Sequence, residues 1–148
     1  MKDYSEKLKI PLVTLIVGTR PELIKLAPLI KAFKNSKDFK TRLILTGQHK
    51  EMVLNLIKIF QLEEDLNLDI HIKGQTLSYI TSAIINGLKK EFSLNKPQLV
   101  LIQGDTTTAF ASALAAFYEK IPIGHIEAGL RTNNLMDPFP EEANRRLI

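Results

Sequence analysis

Short apolar runs alternate with longer amphipathic stretches along the chain. LNLDIHI (Leu66–Ile72) alternates polar and apolar residues, which predicts a half-buried strand. More continuously apolar runs, typical of buried strands, are LVTLIV (Leu12–Val17), TRLILT (Thr41–Thr46), QLVLIQ (Gln98–Gln103) and IPIGHI (Ile121–Ile126). The pattern therefore predicts a protein with several strands separated by other elements.

Between these runs, apolar residues recur at spacings of three and four, which predicts amphipathic helices. Pro21 suits the first turn of the first helix, and Pro28 predicts a kink or a loosened turn within it. Thr106 or a neighbour is expected to cap the fourth helix. The later helices are predicted over about Lys50–Gln61, about Leu77–Phe92, Thr106–Lys120 and from Pro140 onwards.

Strands that alternate with helices predict right-handed βαβ units. The expected fold is α/β: a Rossmann-like open parallel sheet with helices on both faces. A chain of 148 residues is one domain by length. In such sheets, ligands bind at the carboxyl ends of the strands, so side chains that directly follow a strand are the candidates for function.

Composition narrows the possible functions. The hydrophobic fraction of 45% and the charged fraction of 24% are ordinary for a soluble globular protein. The net charge of +4 comes without a basic block, so no nucleic-acid partner is expected. The chain has no cysteine, which fits a reducing cytoplasm. Its longest weakly polar stretch, Ala109–Tyr118, is far shorter than the roughly 18 residues of a membrane span. Three scattered histidines predict no metal site.

The segment GTRPELIK (Gly18–Lys25) lies at the first strand-to-helix turn. A helix start attracts anions, the planar guanidinium of Arg20 suits a phosphate, and Lys25 follows about one turn later. These features favour a phosphate site, and the competing interpretation is a plain turn with two solvated cations. The turn lacks the G-x-G-x-x-G pattern and a Gly-Lys-Ser/Thr, which disfavours a dinucleotide cofactor and a P-loop.

The segment TGQH (Thr46–His49) ends the second strand at the same predicted edge. Gln48 and His49 are therefore candidates for a ligand contact. For His49, capping or ordering of the loop is the competing interpretation.

Carboxylates follow two predicted strands, at Asp105 and Glu127, and a further pair occurs in PFPEEANRR at Glu141 and Glu142. Period two places Glu127 on the same face of its strand as His125. Each acid also has a purely structural explanation. Asp105 suits a helix N-terminus, Glu127 would form a buried ion pair with Arg131, and the other two would stabilise a helix end. Together, cations and carboxylates on one edge suit removal of a carbon-bound proton beside a departing phosphate.

The segments GTRPELIKLAPLI, TGQH, GDTTTAFASALAAFYEKIPIGHIEAGLRT and PFPEEANRR closely resemble the N-terminal half of the non-hydrolysing UDP-N-acetylglucosamine 2-epimerases. The similarity runs in order from about Ile10 to Ile148. These bacterial enzymes interconvert UDP-GlcNAc and UDP-ManNAc for envelope polysaccharides. The resemblance implies a GT-B architecture, with an active site between two Rossmann-like domains, a cytoplasmic homodimer and no cofactor. Residues 1–148 would be the N-terminal domain.

The resemblance also implies a mechanism, in which UDP is eliminated and added back after a proton returns to the opposite face of the sugar. Arg20 and Lys25 match the family's substrate-binding residues. Asp105, Glu127 and Glu141 match its catalytic carboxylates. Gln48 and His49 match a segment that binds an activating UDP-GlcNAc in some members. Glu51 stands where such members often carry Gln, which argues against allosteric control.

The family is much longer than this chain, and its other half holds the uridine pocket, further phosphate contacts and a catalytic histidine. The expectation is therefore an N-terminal domain that is inactive alone, as a fragment, a truncated gene product or half of a split enzyme. The alternatives are a related epimerase acting on a UDP-diacetamido-uronic acid, and a non-catalytic binding or oligomerisation domain.

Overall fold

The computed structural model describes residues 10–148, which form a five-stranded sheet with helices on both faces. The strands are β1 (Leu12–Val17), β2 (Lys40–Leu45), β3 (Leu66–Asn67), β4 (Leu99–Gln103) and β5 (Ile123–Ile126). The helices are α1 (Arg20–Asn35), α2 (Lys50–Ile59), α3 (Leu77–Leu94), α4 (Thr107–Tyr118) and α5 (Glu141–Leu147). All strand pairs are parallel, in the order β3-β2-β1-β4-β5. The predicted α/β Rossmann-like sheet is confirmed.

The sheet separates two apolar layers. On one face, Ile44 and Ile102 pack with residues of α3 and α4, including the fully buried Leu88. On the other face, Leu43 and Leu101 pack with residues of α1 and α2. Because neighbouring side chains of a strand point to opposite faces, a strand covered on both sides reads as a continuous apolar run. This explains why the central strands were evident in the sequence.

The strand order reverses between β1 and β4, so the turns that follow these two strands lie at a topological switch point. The turns approach each other closely at Gly18. A Cβ atom at this position would lie 1.9 Å from Thr108 Oγ1 and 2.4 Å from Thr46 Oγ1. Those two threonine hydroxyls are buried and hydrogen-bonded to each other at 3.0 Å. Glycine at position 18 therefore allows the turns after β1, β2 and β4 to meet.

One predicted element differs from the structure. The strand predicted over Leu66–Ile72 is limited to Leu66–Asn67, because Asp69 adopts a left-handed backbone with φ of 51°. Its N–H donates to the Asn67 side chain at 3.0 Å, which closes a turn instead of extending the strand. Pro28 lies within α1, which continues to Asn35, and the kink or loosened turn expected there stays a prediction. No helix within residues 10–148 is long and apolar enough to cross a membrane.

Candidate functional site

A hollow lies at the carboxyl edge of the sheet, beside the switch point. It is bounded by the first turns of α1, by the β4–α4 turn and by the segment after β5. Its lining residues are Pro21, Glu22, Lys25, Gln103, Gly104, Asp105, Thr106, Glu127 and Leu130. This is the location at which open parallel sheets bind ligands.

Glu127 forms one wall of the hollow and directly follows β5. Its Oε2 lies 2.5 Å from Lys25 Nζ and also accepts a hydrogen bond from Gln103 Nε2. The Lys25 and Glu127 side chains are 50% and 42% exposed, so this is a half-exposed ion pair whose charges remain accessible from solvent. Glu127 has a left-handed backbone with φ of 63°. Such a conformation is costly for a residue with a Cβ atom and is found preferentially at functional sites.

The ion pair predicted between Glu127 and Arg131 is wrong. Arg131 donates to the backbone oxygens of Ala128 and Leu130, at 2.9 and 2.8 Å, and Glu127 pairs with Lys25 instead. The predicted alternation also stops short of Glu127, because β5 ends at Ile126 and the backbone then turns. The carboxylate consequently points to α1, while the His125 ring donates from Nε2 to the Gly104 backbone oxygen at 2.6 Å.

Asp105 also lines the hollow and is held by α5. Its Oδ2 accepts a hydrogen bond from Arg145 Nε at 2.7 Å, and its backbone oxygen accepts one from Asn144 Nδ2 at 2.8 Å. The Arg145 side chain is 4% exposed, whereas that of Asp105 is 24% exposed. The Asp105 carboxylate raises the pKa of the Arg145 guanidinium above its ordinary value. A buried cation thus fixes one oxygen of an acid that still reaches the hollow.

Glu142 binds Arg145, the partner of Asp105, and is fully buried. Its Oε2 accepts hydrogen bonds from Thr132 N at 2.9 Å and Arg145 Nη1 at 3.0 Å, while Oε1 accepts one from Arg146 Nε at 2.9 Å. The Thr132 N–H, followed by Arg146, lowers the pKa of Glu142 to about 2. Of the adjacent acids in PFPEEANRR, Glu142 therefore has the structural role.

Two of the predicted site residues lie outside the hollow. Arg20 is the exposed first residue of α1, and Glu141 is the half-buried first residue of α5. Neither lines the hollow, which brings together Lys25, Asp105 and Glu127.

Gln48 and His49 also lie outside the hollow. Gln48 Oε1 accepts a hydrogen bond from Thr108 Oγ1 at 2.7 Å. His49 precedes α2, but its side chain does not cap the helix. Its backbone N–H orders the loop by donating to Gly18 O at 2.9 Å. Its side chain lines a separate cavity with Lys50, Glu51, Met52 and His71.

Glu22 was missed in the sequence and is the most deeply buried acid of the hollow. Its Oε2 accepts hydrogen bonds from Gly18 N at 2.6 Å and Thr19 N at 2.8 Å, and its Oε1 accepts one from the Thr106 hydroxyl. The amides expected to receive a phosphate are therefore occupied by a carboxylate of the chain itself. The pattern T-x-x-E over Thr19–Glu22 is the signal that was available, since a glutamate at this position commonly bonds back to the helix start.

The described part of the chain, residues 10–148, contains no group of three or more histidines and carboxylates arranged to hold a metal ion. The hollow is lined by ionisable side chains. It offers two partly exposed carboxylates, one amine and one buried carboxyl group. This set suits proton transfer next to an anionic group.

Comparison with known proteins identifies the family. A family model described as UDP-N-acetylglucosamine 2-epimerase matches residues 31–148. The UDP-N-acetylglucosamine 2-epimerase of Escherichia coli K12 is 49% identical over 135 residues, which are 91% of this chain and 36% of that protein. The enzyme of the same name from Yersinia pestis is 47% identical over 135 residues, with the same coverage of 91% and 36%.

Solved structures agree with this result. The crystal structure of UDP-GlcNAc 2-epimerase from Neisseria meningitidis bound to UDP-GlcNAc matches with 48% identity and a TM-score of 0.86, over 92% of this chain and 37% of that chain. The Methanocaldococcus jannaschii enzyme in complex with UDP-GlcNAc and UDP matches with 35% identity and a TM-score of 0.84, over 92% and 37%. This chain spans between 36% and 37% of the length of these relatives. The chain therefore belongs to the UDP-N-acetylglucosamine 2-epimerase family.

Proposed function

We propose that residues 1–148 are the N-terminal domain of a two-domain GT-B enzyme that interconverts UDP-GlcNAc and UDP-ManNAc. The observation that carries this proposal is the hollow at the switch point, in which Lys25, Asp105 and Glu127 meet. Further support comes from a relative of 48% identity whose structure contains UDP-GlcNAc. The substrate we propose for this chain is accordingly a UDP-sugar.

The proposed reaction begins when a carboxylate removes the proton from C2 of the sugar. The electron pair of the C2–H bond forms a C1–C2 double bond, and the C1–O bond breaks as UDP leaves with its electrons. A second carboxylic acid then delivers a proton to the opposite face of C2 while UDP adds back to C1. Acid and base groups on both faces and cations at the diphosphate are required for this sequence.

The roles of the residues follow from their positions and from the family resemblance. Asp105 and Glu127 both line the hollow and are the proposed proton-transfer groups, with Glu141 as a third acid. Lys25 is the proposed diphosphate contact within the hollow, and Arg20 is a second contact at the start of α1. No residue is proposed to hold a metal or a cofactor.

Exposed apolar residues beside the hollow support the presence of a second domain over it. Leu130, Leu135, Met136 and Phe139 are 55%, 47%, 70% and 59% exposed, and all belong to the segment between β5 and α5. Clustered exposed apolar side chains commonly mark a surface that another domain covers. We propose that the hollow is one half of an interdomain cleft.

Complementation tests the proposal directly. The purified 148-residue chain is incubated with UDP-GlcNAc, and UDP-ManNAc is measured by chromatography. We expect no turnover by the chain alone, because only half of the cleft is present. Fusion to the C-terminal part of the E. coli relative should restore turnover.

In the active fusion, Asp105→Asn and Glu127→Gln should each abolish turnover. Glu64→Gln is the matched control, since Glu64 is an exposed acid outside the hollow and should tolerate the change. Normal turnover by the unfused chain would contradict the need for a second domain. Near-normal rates in the Asp105 and Glu127 variants would remove the hollow from the mechanism.

A further inference from the structure

The Glu22 carboxylate connects the two turns that flank the switch point. The side chain is 1% exposed and is one of the residues that line the hollow. One oxygen receives the backbone N–H groups of Gly18 and Thr19 in the β1–α1 turn. The other receives the hydroxyl of Thr106, which also caps α4 by accepting from Ala109 N at 3.0 Å. A single carboxylate thus holds both turns.

The oxygens of Glu22 are held by hydrogen-bond donors and not by a cation. None of the ion pairs formed within residues 10–148 includes Glu22. Burial raises the pKa of its carboxyl group, and the hydrogen bonds from Thr106, Gly18 and Thr19 act in the opposite direction. A buried acid is tolerated only where its oxygens find donors, and here both oxygens do.

The Gly18 and Thr19 N–H groups, which donate to Glu22, lie where a helix start would otherwise bind an anion. Backbone N–H groups at the start of a helix after a parallel strand are a common phosphate site. At this turn, a Glu22 oxygen already accepts from the Gly18 and Thr19 N–H groups, so these groups are not available to a phosphate. Phosphate binding at the hollow is left to side-chain cations such as Lys25.

We propose that Glu22 is a positioning residue, a built-in anion that fixes the β1–α1 turn against the β4–α4 turn. Lys25 follows Glu22 by about one helical turn, and Asp105 directly precedes Thr106. A shift of one turn relative to the other would therefore move Lys25 relative to Asp105 in the hollow. The claim that this distance between Lys25 and Asp105 serves a UDP-sugar rests on the proposed function. The role of Glu22 as an internal anion that joins the two turns does not.

Chemical rescue distinguishes an internal anion from a side chain that merely fills space. Glu22→Ala leaves a small void lined by the three donors. In the isotopically labelled 148-residue chain, amide hydrogen exchange at Gly18 and Thr19 should become about tenfold faster, as expected for the loss of one hydrogen bond each. Sodium acetate should restore slow exchange in a saturable manner. Acetamide, a neutral molecule of the same shape, and sodium chloride at equal ionic strength should not.

A second variant covers the case in which Glu22→Ala does not fold. Glu22→Gln keeps the size of the side chain but replaces one acceptor oxygen by an NH₂ group. It therefore loses the hydrogen bonds either to the β1–α1 turn or to Thr106. Glu64→Gln is the control and should leave exchange at Gly18 and Thr19 unchanged. Unchanged amide exchange at Gly18 and Thr19 in both Glu22 variants would overturn the proposal that Glu22 is an internal anion. Equal rescue by acetamide and acetate would overturn it as well.

Titration with inorganic pyrophosphate tests the link to the hollow. The resonances of Lys25 and Asp105 should shift in the unsubstituted chain, and apparent affinity should fall about tenfold in Glu22→Ala, the loss expected for one hydrogen bond. Acetate should restore it. Pyrophosphate that shifts Gly18 and Thr19 in the unsubstituted chain by displacing Glu22 would overturn the proposal. Absence of any pyrophosphate effect would count against the proposed function of the hollow, while the acetate result would still decide the role of Glu22.

Discussion

We expect Gly18→Ala to destabilise the chain by steric overlap alone. The added Cβ atom would lie 1.9 Å from Thr108 Oγ1, 2.8 Å from Thr108 Cβ and 2.4 Å from Thr46 Oγ1. Both threonines are fully buried, so neither can move its side chain into solvent. The φ angle of Gly18 lies outside the left-handed range, and the backbone itself accepts alanine.

The magnitude follows from the contacts that have to change. Overpacking of a closely packed site costs about 1–3 kcal/mol. Displacing Thr108 also disrupts its hydrogen bonds to Thr46 at 3.0 Å and to Gln48 at 2.7 Å. Each such bond contributes about 0.5–1.5 kcal/mol, so we expect a total loss of about 3 kcal/mol. In a chain of this size that corresponds to a fall in Tm of about 6–12 °C.

Urea denaturation followed by far-UV circular dichroism measures this loss. Gly129→Ala is the matched control, because no atom lies within 4 Å of the added Cβ and φ is outside the left-handed range. It should change stability by less than about 0.5 kcal/mol. In a Thr108→Ala background, Gly18→Ala should cost less, since the closest overlapping atom is gone. Equal stability of Gly18→Ala and the unsubstituted chain, or an undiminished cost in the Thr108→Ala background, would refute the steric argument.

Substitutions at three other positions should also change the stability of the chain. The pKa of Glu142 is lowered from 4.5 to about 2, so its stabilising effect is complete above pH 4.5 and is lost as pH falls towards 2. Glu142→Gln should flatten the stability profile between these values in urea titrations, and an unchanged slope would argue against its ion pairs. Phe92→Ala empties a site that is 2% exposed and should cost about 3–5 kcal/mol in the same assay. Lys120→Gly should stabilise by about 1 kcal/mol, because Lys120 follows α4 with φ of 56°; a destabilised variant would show that its side chain matters more than its backbone.

Much of the fold was predictable because burial leaves a local pattern. The central strands appeared as apolar runs, and the amphipathic spacing located α2 and α3 to within a few residues. The predicted strand over Leu66–Ile72 was too long, since alternating polarity is also produced by a partly buried turn. Here the left-handed conformation of Asp69 decided the outcome.

The candidate site was predictable in part. The rule that parallel sheets bind ligands at their carboxyl edge placed Asp105 and Glu127 in the same region, and the structure brings them to one hollow with Lys25. The ion pair of Asp105 with Arg145 joins residues 40 positions apart in sequence, and no local pattern indicates it. Glu22 was missed, because the T-x-x-E pattern indicates only a contact with the helix start and its partner Thr106 lies 84 positions away.

The order of residues alone predicted the alternation of strands and helices, the parallel sheet and the edge at which the charged groups collect. These features follow from the period of apolar residues and from the handedness of βαβ connections, which act over short stretches of chain. The partners of the polar groups became evident in the folded chain: Lys25 contacts Glu127, Arg145 contacts Asp105, and Glu22 contacts the two turns. Such contacts depend on distances of a few ångströms between segments far apart in sequence, and the strand order sets those distances.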